Sequence, residues 1–456
     1  MIDAEDKDQM LKQLCEFVES TDFDHLPIST ITHAKDVVMD TFGVILAGSK
    51  DSHLNQLADF LAFPTDKEAS TRLGHKRKFT PLHAALLNGA AGSSQEFEEG
   101  HSKALGHPAI QLIPAAFAHA EATRLGGKKF LEGVILGYEV AARLGSSAPL
   151  RPGLHPSSSW GIVGAAISVA KLSGFKTSEI FEVMNIASSF TIAGFVKNSL
   201  QGRNIAQMYA AFSNYFGILS YKLFQFGFSA SPETLRVTFG QLLSDRLIEE
   251  RLSKGLGERY LIETNYFKMY PTCRFTHPAI EALHSAVQNK SIDIEHIDRI
   301  DVYTFKWALE MSNPNPENTH GMRFSIPHLL GLFLSSGSLT LDTFKEAHRY
   351  QSLIDAIANK TFVHEDEFFN KRLPHQRGAK VEITLRNGVR IQGVVDDCKG
   401  GESAPYSASQ LRAKFVELST AVLGEKGAKK ALLLLENLES LEEINQLADI
   451  LGMRND

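Results

Sequence analysis

Ser157–Ala170 reads SSSWGIVGAAISVA, and this run decides the fold class. Glycine, alanine and serine are interleaved there with Ile162, Val163, Ile167 and Val169. Small side chains let helix axes approach closely, so the run predicts a helix buried on more than one side inside a tightly packed helical domain. The same period extends outward in both directions. In Ile31–Leu46, the residues Ile31, Ala34, Val37, Val38, Phe42 and Ile45 recur at spacings of three and four, with Ser29 and Thr30 as capping residues and Gly48 as a stop. Further helical runs are expected at Pro81–Gly92, Ala109–Leu125, Lys129–Leu144, Gly161–Leu172, Ser178–Val196, Ala206–Gln225 and Ala230–Leu242.

The texture changes near Tyr266. Ser291–Phe305 alternates Ile300, Val302 and Thr304 against charged residues, the pattern of a half-exposed strand. In Ala379–Val395 two alternating runs flank Asn387-Gly388, which predicts a hairpin with a two-residue turn. Helices are expected between them at Pro278–Val287, Pro327–Ser335 and Leu341–Ile357, and after them at Ala408–Leu423 and Ala428–Leu447. The fold class that follows is mainly α. A large helical domain takes residues 1–266 and 401–456, and a smaller α+β lid, 267–400, is inserted between them.

At 456 residues the chain has material for two or three domains, and a net charge of −6 argues against a nucleic-acid partner. Cys15, Cys273 and Cys398 are scattered and odd in number, which suggests neither a disulfide framework nor a metal site and fits a reducing compartment. The acidic opening MIDAEDKDQM lacks the order of a signal peptide, and no apolar run is long enough for a membrane span. A cytoplasmic protein is expected.

Chemistry concentrates in a few places. Gln95–Pro114, QEFEEGHSKALGHPAIQLIP, gathers Glu96, Glu98, Glu99, His101 and His107 between two apolar helical runs. Carboxylates and imidazoles so placed make an acid/base or anion-binding site, against the plainer reading of a solvated loop. Three of the 17 histidines precede proline, at His107, His155 and His277, more than random pairing would give. Each opens a helical run, where the dipole lowers the imidazole pKa and keeps a base available, or where the pair simply starts a helix. Lys268–His277, KMYPTCRFTH, adds Lys268, Cys273 and Arg274 at the domain boundary, cations suited to clamping a carboxylate. Arg203 after Gly202, and His328 within RFSIPH, complete the candidates.

In this order, AKDVVMDTFGVILAG at Ala34–Gly48, the acidic loop ending in His107-Pro108, His155-Pro156, Arg203–Ala211, Lys268–His277, Phe324–His328 and PYSASQLRAKF at Pro405–Phe415 resemble the MmgE/PrpD family. That family includes 2-methylcitrate dehydratase, cis-aconitate decarboxylase and iminodisuccinate epimerase. The resemblance implies a homodimer and cofactor-free chemistry beside a carboxylate, in a cleft between the domains. His107, His155 and Lys268 match family active-site positions. Glu96 stands where aspartate is usual, Gly100 where threonine is common, and Arg203 where lysine is usual. Cys273 stands at a decarboxylase histidine, and His328 where tyrosine is frequent.

The function expected is a lyase, dehydratase or decarboxylase, acting on a small di- or tricarboxylate. His107 and His155 would move protons, Lys268 and Glu96 would complete the catalytic set, and Arg203, Arg274, Cys273, His328 and His101 would contact substrate. An isomerase of an imino-diacid and a non-catalytic carboxylate-binding homologue are the alternatives.

Overall fold

The helix Trp160–Leu172 is the buried axle of the molecule: each of its thirteen residues is buried. Two neighbours press on it through their smallest residues. Gly137 and Gly164 face each other between the Gly127–Ser147 helix and this one, and a Cβ built on Gly164 would lie 2.6 Å from Ala141 Cβ. On another side Gly217, in the Gln207–Gln225 helix, allows no Cβ, which would lie 2.4 Å from Ala165 Cβ. The small residues therefore exchange side-chain volume for close axes, and interior packing tolerates little addition.

The computed structural model describes residues 4–62, 69–288, 290 and 292–453, with side chains from Gln9 onward. The first three residues of the acidic opening and Ser291 of the expected strand run lie outside the described residues. The fold is mainly α. One large hydrophobic core joins residues from Leu11 to Phe267 with others from Leu411 to Leu451, so the chain's later helices pack back on its earlier ones. Lys414 in the Ala408–Glu436 helix donates to Asp40 of the Ile28–Gly48 helix at 2.7 Å, a buried ion pair across this junction. A second core, from Ala279 to Ile383, belongs to the inserted lid.

The lid carries a four-stranded sheet. Ile297–Thr304 lies between Thr361–Glu365, which runs parallel to it, and Ala379–Leu385, which runs antiparallel and pairs in turn with Arg390–Val395. The strand Thr361–Glu365 was not expected from the sequence. It is five residues long, and its partner is reached only through a long crossover. The hairpin forms at the expected place, but its turn differs. Val389 O accepts from Leu385 N at 2.9 Å and Leu385 O from Gly388 N at 2.8 Å, leaving Arg386-Asn387-Gly388 as a three-residue loop. Gly388, at φ +83°, takes the left-handed position that such loops require.

Several helices are shorter than their apolar period suggests. The run from Ser178 stops at Ser188, and Leu341–Ile357 breaks into Leu341–Lys345 and Gln351–Ala358. The helical run expected from Ala230 begins only at Thr234, after Pro232. Gly424, at φ +69°, interrupts the Ala408–Glu436 helix where the expected run Ala408–Leu423 ends, and the run expected from Ala428 to Leu447 stops at Glu436. No described helix is long and apolar enough to cross a membrane.

Candidate active site

The acidic loop is held from below by Glu99, not by solvent. Its Oε1 accepts from Ala109 N at 2.8 Å, one of the free donors in the first turn of the Pro108–Ala122 helix, and its Oε2 accepts from the Tyr138 hydroxyl at 3.0 Å. Its backbone oxygen accepts from His107 Nδ1 at 2.6 Å. A carbonyl can only accept, so Nδ1 carries the ring proton and Nε2 presents a bare lone pair.

His155 is set the opposite way. Its Nδ1 accepts from Ser157 N at 3.1 Å, so the proton sits on Nε2. Burial lowers His107 to about 3, Lys268 adding to the effect, and burial lowers His155 to about 4. Both rings are neutral near pH 7, but burial, rather than the helix dipole expected from the His-Pro pattern, is the chief cause. They line one chamber of about 30 Å³ together with Glu96, Glu98, Gln207 and His320.

Lys268 stands beside two of that chamber's carboxyls. It is fully buried and donates to Glu96 O at 3.0 Å, with its ammonium 3.7 Å from Glu96 Oε2 and 3.8 Å from Glu98 Oε2. Burial alone would lower the lysine pKa, but Glu96 and Glu98 outweigh it and the net shift is upward. The two carboxyls diverge. Burial pushes Glu96 up, yet Lys268 and the surrounding imidazoles draw it below its usual range. Burial raises Glu98 to about 8, Lys268 opposing and the nearby Glu96 adding to the rise. At neutral pH the trio is therefore Glu96 ionised, Glu98 protonated and Lys268 charged, with one proton held in reserve. Glu96 occupies the left-handed region at φ +52°, a strained backbone of the kind found at functional positions.

Glu96, Glu98 and His107 offer three ligand atoms within 4.8 Å of one another, the raw geometry of a metal site. Lys268 already supplies a positive charge beside both carboxylates, and a divalent ion would be repelled by it.

Lys414 fixes the frame. Besides Asp40 it donates to Phe97 O and Lys268 O, both at 2.9 Å, so one buried ammonium ties the acidic loop to the start of the lid. Arg323 does the same from the lid side, donating to Gln95 O at 3.0 Å and Pro271 O at 2.6 Å.

Of the residues singled out in the sequence, His107, His155, Lys268 and Glu96 converge. Cys273 lies close enough to feel Glu96 and Lys268, and burial pushes its thiol up to about 12, so it is no thiolate. The others are elsewhere. Arg203 is exposed and its guanidinium binds Glu317 at 2.7 Å. His328 is buried in the lid, 3.5 Å from Asp355. His101 spends both ring nitrogens locally, on Ala104 N at 3.0 Å and on the Thr264 hydroxyl at 2.8 Å. Arg274 lines a neighbouring cleft. Sequence reasoning passed over His320 and Arg323, and named Glu98 in the acidic loop without giving it a catalytic role. Arg323 lay inside the RFSIPH segment, but attention fell on its histidine; nothing local marks His320. Gly100 has a steric reason, since a Cβ there would lie 2.3 Å from Tyr266 Oη.

Residues 12–243 match the MmgE/PrpD N-terminal domain and residues 270–440 the MmgE/PrpD C-terminal domain. The chain is 24% identical over 488 residues to the "Cis-aconitate decarboxylase-like protein oryM" of Aspergillus oryzae, covering 99% of this chain and 98% of that one. It is 21% identical over 479 residues to the "Cis-aconitate decarboxylase" of Aspergillus terreus, covering 99% and 97%. Both halves of the chain, joined at the Lys268 cluster, thus lead to one conclusion: this protein belongs to the MmgE/PrpD family.

Proposed function

We propose that the chain is a cofactor-independent lyase that removes a proton next to a carboxylate of a small di- or tricarboxylate. The observation that carries this reading is the opposite protonation of two neutral histidines in one chamber: a bare Nε2 on His107 and an Nε2–H on His155. His107 takes the carbon-bound proton, and the electron pair moves onto the adjacent carboxylate. Lys268 stabilises the enediolate charge that develops. The pair then returns to expel the β-substituent. In dehydration His155 gives its proton to the departing hydroxyl, and water leaves. In decarboxylation no carbon-bound proton is taken first: carbon dioxide departs without the electrons of its bond, the pair left behind spreads onto the neighbouring carboxylate beside Lys268, and His155 protonates the carbon. Glu96 sets the charge balance around Lys268, and protonated Glu98 avoids a second anion where an anionic substrate must bind.

The chamber's small volume goes with a lid, 267–400, that moves on a body made of 1–266 and 401–456. We also propose a homodimer, as the family resemblance implies, and a place in the cytoplasm, as the scattered cysteines suggest. Phe226, 74% exposed, and Phe228, 60% exposed, follow the Gln207–Gln225 helix and give a second copy apolar surface to cover. Light scattering in solution checks this.

A second reading is an epimerase of an imino-diacid, in which the proton returns to the other face. It is favoured by Arg203 and His328, which are engaged elsewhere and leave the chamber with a simpler set of groups. Incubation with candidate diacids in D₂O separates the two. An unsaturated or shortened product supports the lyase, and deuterium at the stereocentre with no loss of mass supports the epimerase. Ligand-induced thermal stabilisation without turnover, unchanged by His107→Ala or His155→Ala, would mean a non-catalytic carboxylate-binding protein.

A further inference from the structure

A second cleft, about 330 Å³ in volume, opens at the seam between the helical body and the lid. Lys103 and Asn265 line it from the body, and Arg274, His375, Arg377 and Asp397 from the lid. It shares no lining residue with the chamber of His107 and His155. Tyr266 touches both groups. Arg274 Cζ lies 4.7 Å and Arg377 Cζ 5.8 Å from its ring centroid, and the His107 ring meets it edge-on at 6.4 Å.

Both arginines are buried, at 5% and 3% exposure, and neither has an ion-pair partner among the described residues. Arg274 donates to Lys399 O at 2.6 Å and Cys398 O at 3.0 Å, and its Nε has no acceptor. Arg377 is less satisfied still: Nη2 donates to Ser102 O at 3.2 Å, and Nε has no acceptor. The acids at the cleft are committed. Asp397 accepts from Arg377 N at 3.0 Å and from the Ser403 hydroxyl, and Glu402 pairs with Arg259. Lys103 is exposed at the rim.

Desolvated guanidinium groups with unmet donors are costly unless something supplies acceptors. A carboxylate does so in the plane of the fork. The volume is that of a pocket for an organic molecule, not for a single inorganic ion. We propose that this cleft is a second binding site, separate from the proton-transfer chamber, for a small organic di- or tricarboxylate. Because its walls come from both body and lid, an occupant holds the two together and favours the closed lid.

The test is calorimetric titration of the full chain with tricarballylate, a saturated tricarboxylate with no bond to eliminate. The double variant His107→Ala/His155→Ala disables the proton-transfer chamber and should retain a binding event. Adding Arg377→Gln should weaken that event at least about tenfold, the loss expected for a charge-assisted contact. Adding Lys103→Glu instead, a rim change that leaves the buried structure alone, should also weaken it. The proposal is overturned if the double variant no longer binds at millimolar ligand, or if Lys103→Glu and every folded Arg377 variant leave its binding unchanged.

Discussion

Lys268 donates to the backbone oxygen of Glu96 at 3.0 Å while its ammonium stands 3.7 Å from the same residue's carboxylate. One lysine thereby holds a strained glutamate by both its main chain and its charge. Lys268→Met leaves Glu96 and Glu98 buried with no counter-charge beside them, a change expected to cost about 3 kcal/mol at neutral pH. Glu96, now drawn down by Lys268, would rise above its unfolded value of 4.5 once the lysine is gone. The deficit should then be small at acid pH, where both states carry the proton, and grow as pH rises through that value. Denaturant melts at several pH values measure it, and a pH-independent deficit would contradict the charge pairing.

Glu98 should leave its mark on rate. Its carboxyl, raised to about 8 by burial, is protonated at neutral pH and ionises above that point. A new negative charge beside Glu96 opposes an anionic substrate, so kcat/KM should fall with an apparent pKa about 8. Glu98→Gln mimics the protonated form and should keep most activity while abolishing the alkaline fall. A variant with the parent's profile would assign that limb to another group.

The two histidines should separate by what they abolish. His107→Gln removes the bare Nε2 and should suppress both product formation and exchange of the substrate proton with D₂O, by about 10²–10⁴-fold. His155→Gln should slow product formation comparably yet leave exchange measurable, because abstraction needs only the base. The reverse pattern would exchange the two roles.

The axle helix offers a test of packing alone. Gly164→Ala places a methyl 2.6 Å from Ala141 Cβ and 3.0 Å from Gly137 O, between helices that have no room to part. Overpacking of this kind should cost about 1–3 kcal/mol. Thermal melts should show the loss, with kcat near the parent's at temperatures where the variant is folded.

The helical body was legible because its cause is local. SSSWGIVGAAISVA states both that it is a helix and that neighbours come close, and Asn387-Gly388 marks its hairpin from a few residues. What escaped depends on partners far along the chain. Thr361–Glu365 becomes a strand only beside Ile297–Thr304, and the helical period cannot show that Pro232 cuts a run short. In the site, His107, His155 and Lys268 stood out by motif and position. Glu98 was named with its loop but stood out no further, since its raised pKa comes from burial, which the local sequence does not show, and the Lys268 that opposes the rise lies 170 residues away. Arg203 and His328 attracted notice for their charge and their place before a helix, but Glu317 and Asp355 engage them.

The bond between Lys414 and Asp40 joins residues 374 positions apart. A ribosome adding about 5–20 residues per second needs roughly 20–75 s to cover that distance. Throughout that interval Asp40 has no Lys414 to neutralise it, and the carbonyls of Phe97 and Lys268 lack the ammonium that later draws them together. The frame around Lys268 is therefore completed only once the Ala408–Glu436 helix has been made. A nascent chain stopped short of that helix can bury its apolar residues, but it lacks the one ammonium that binds Asp40, Phe97 and Lys268 together.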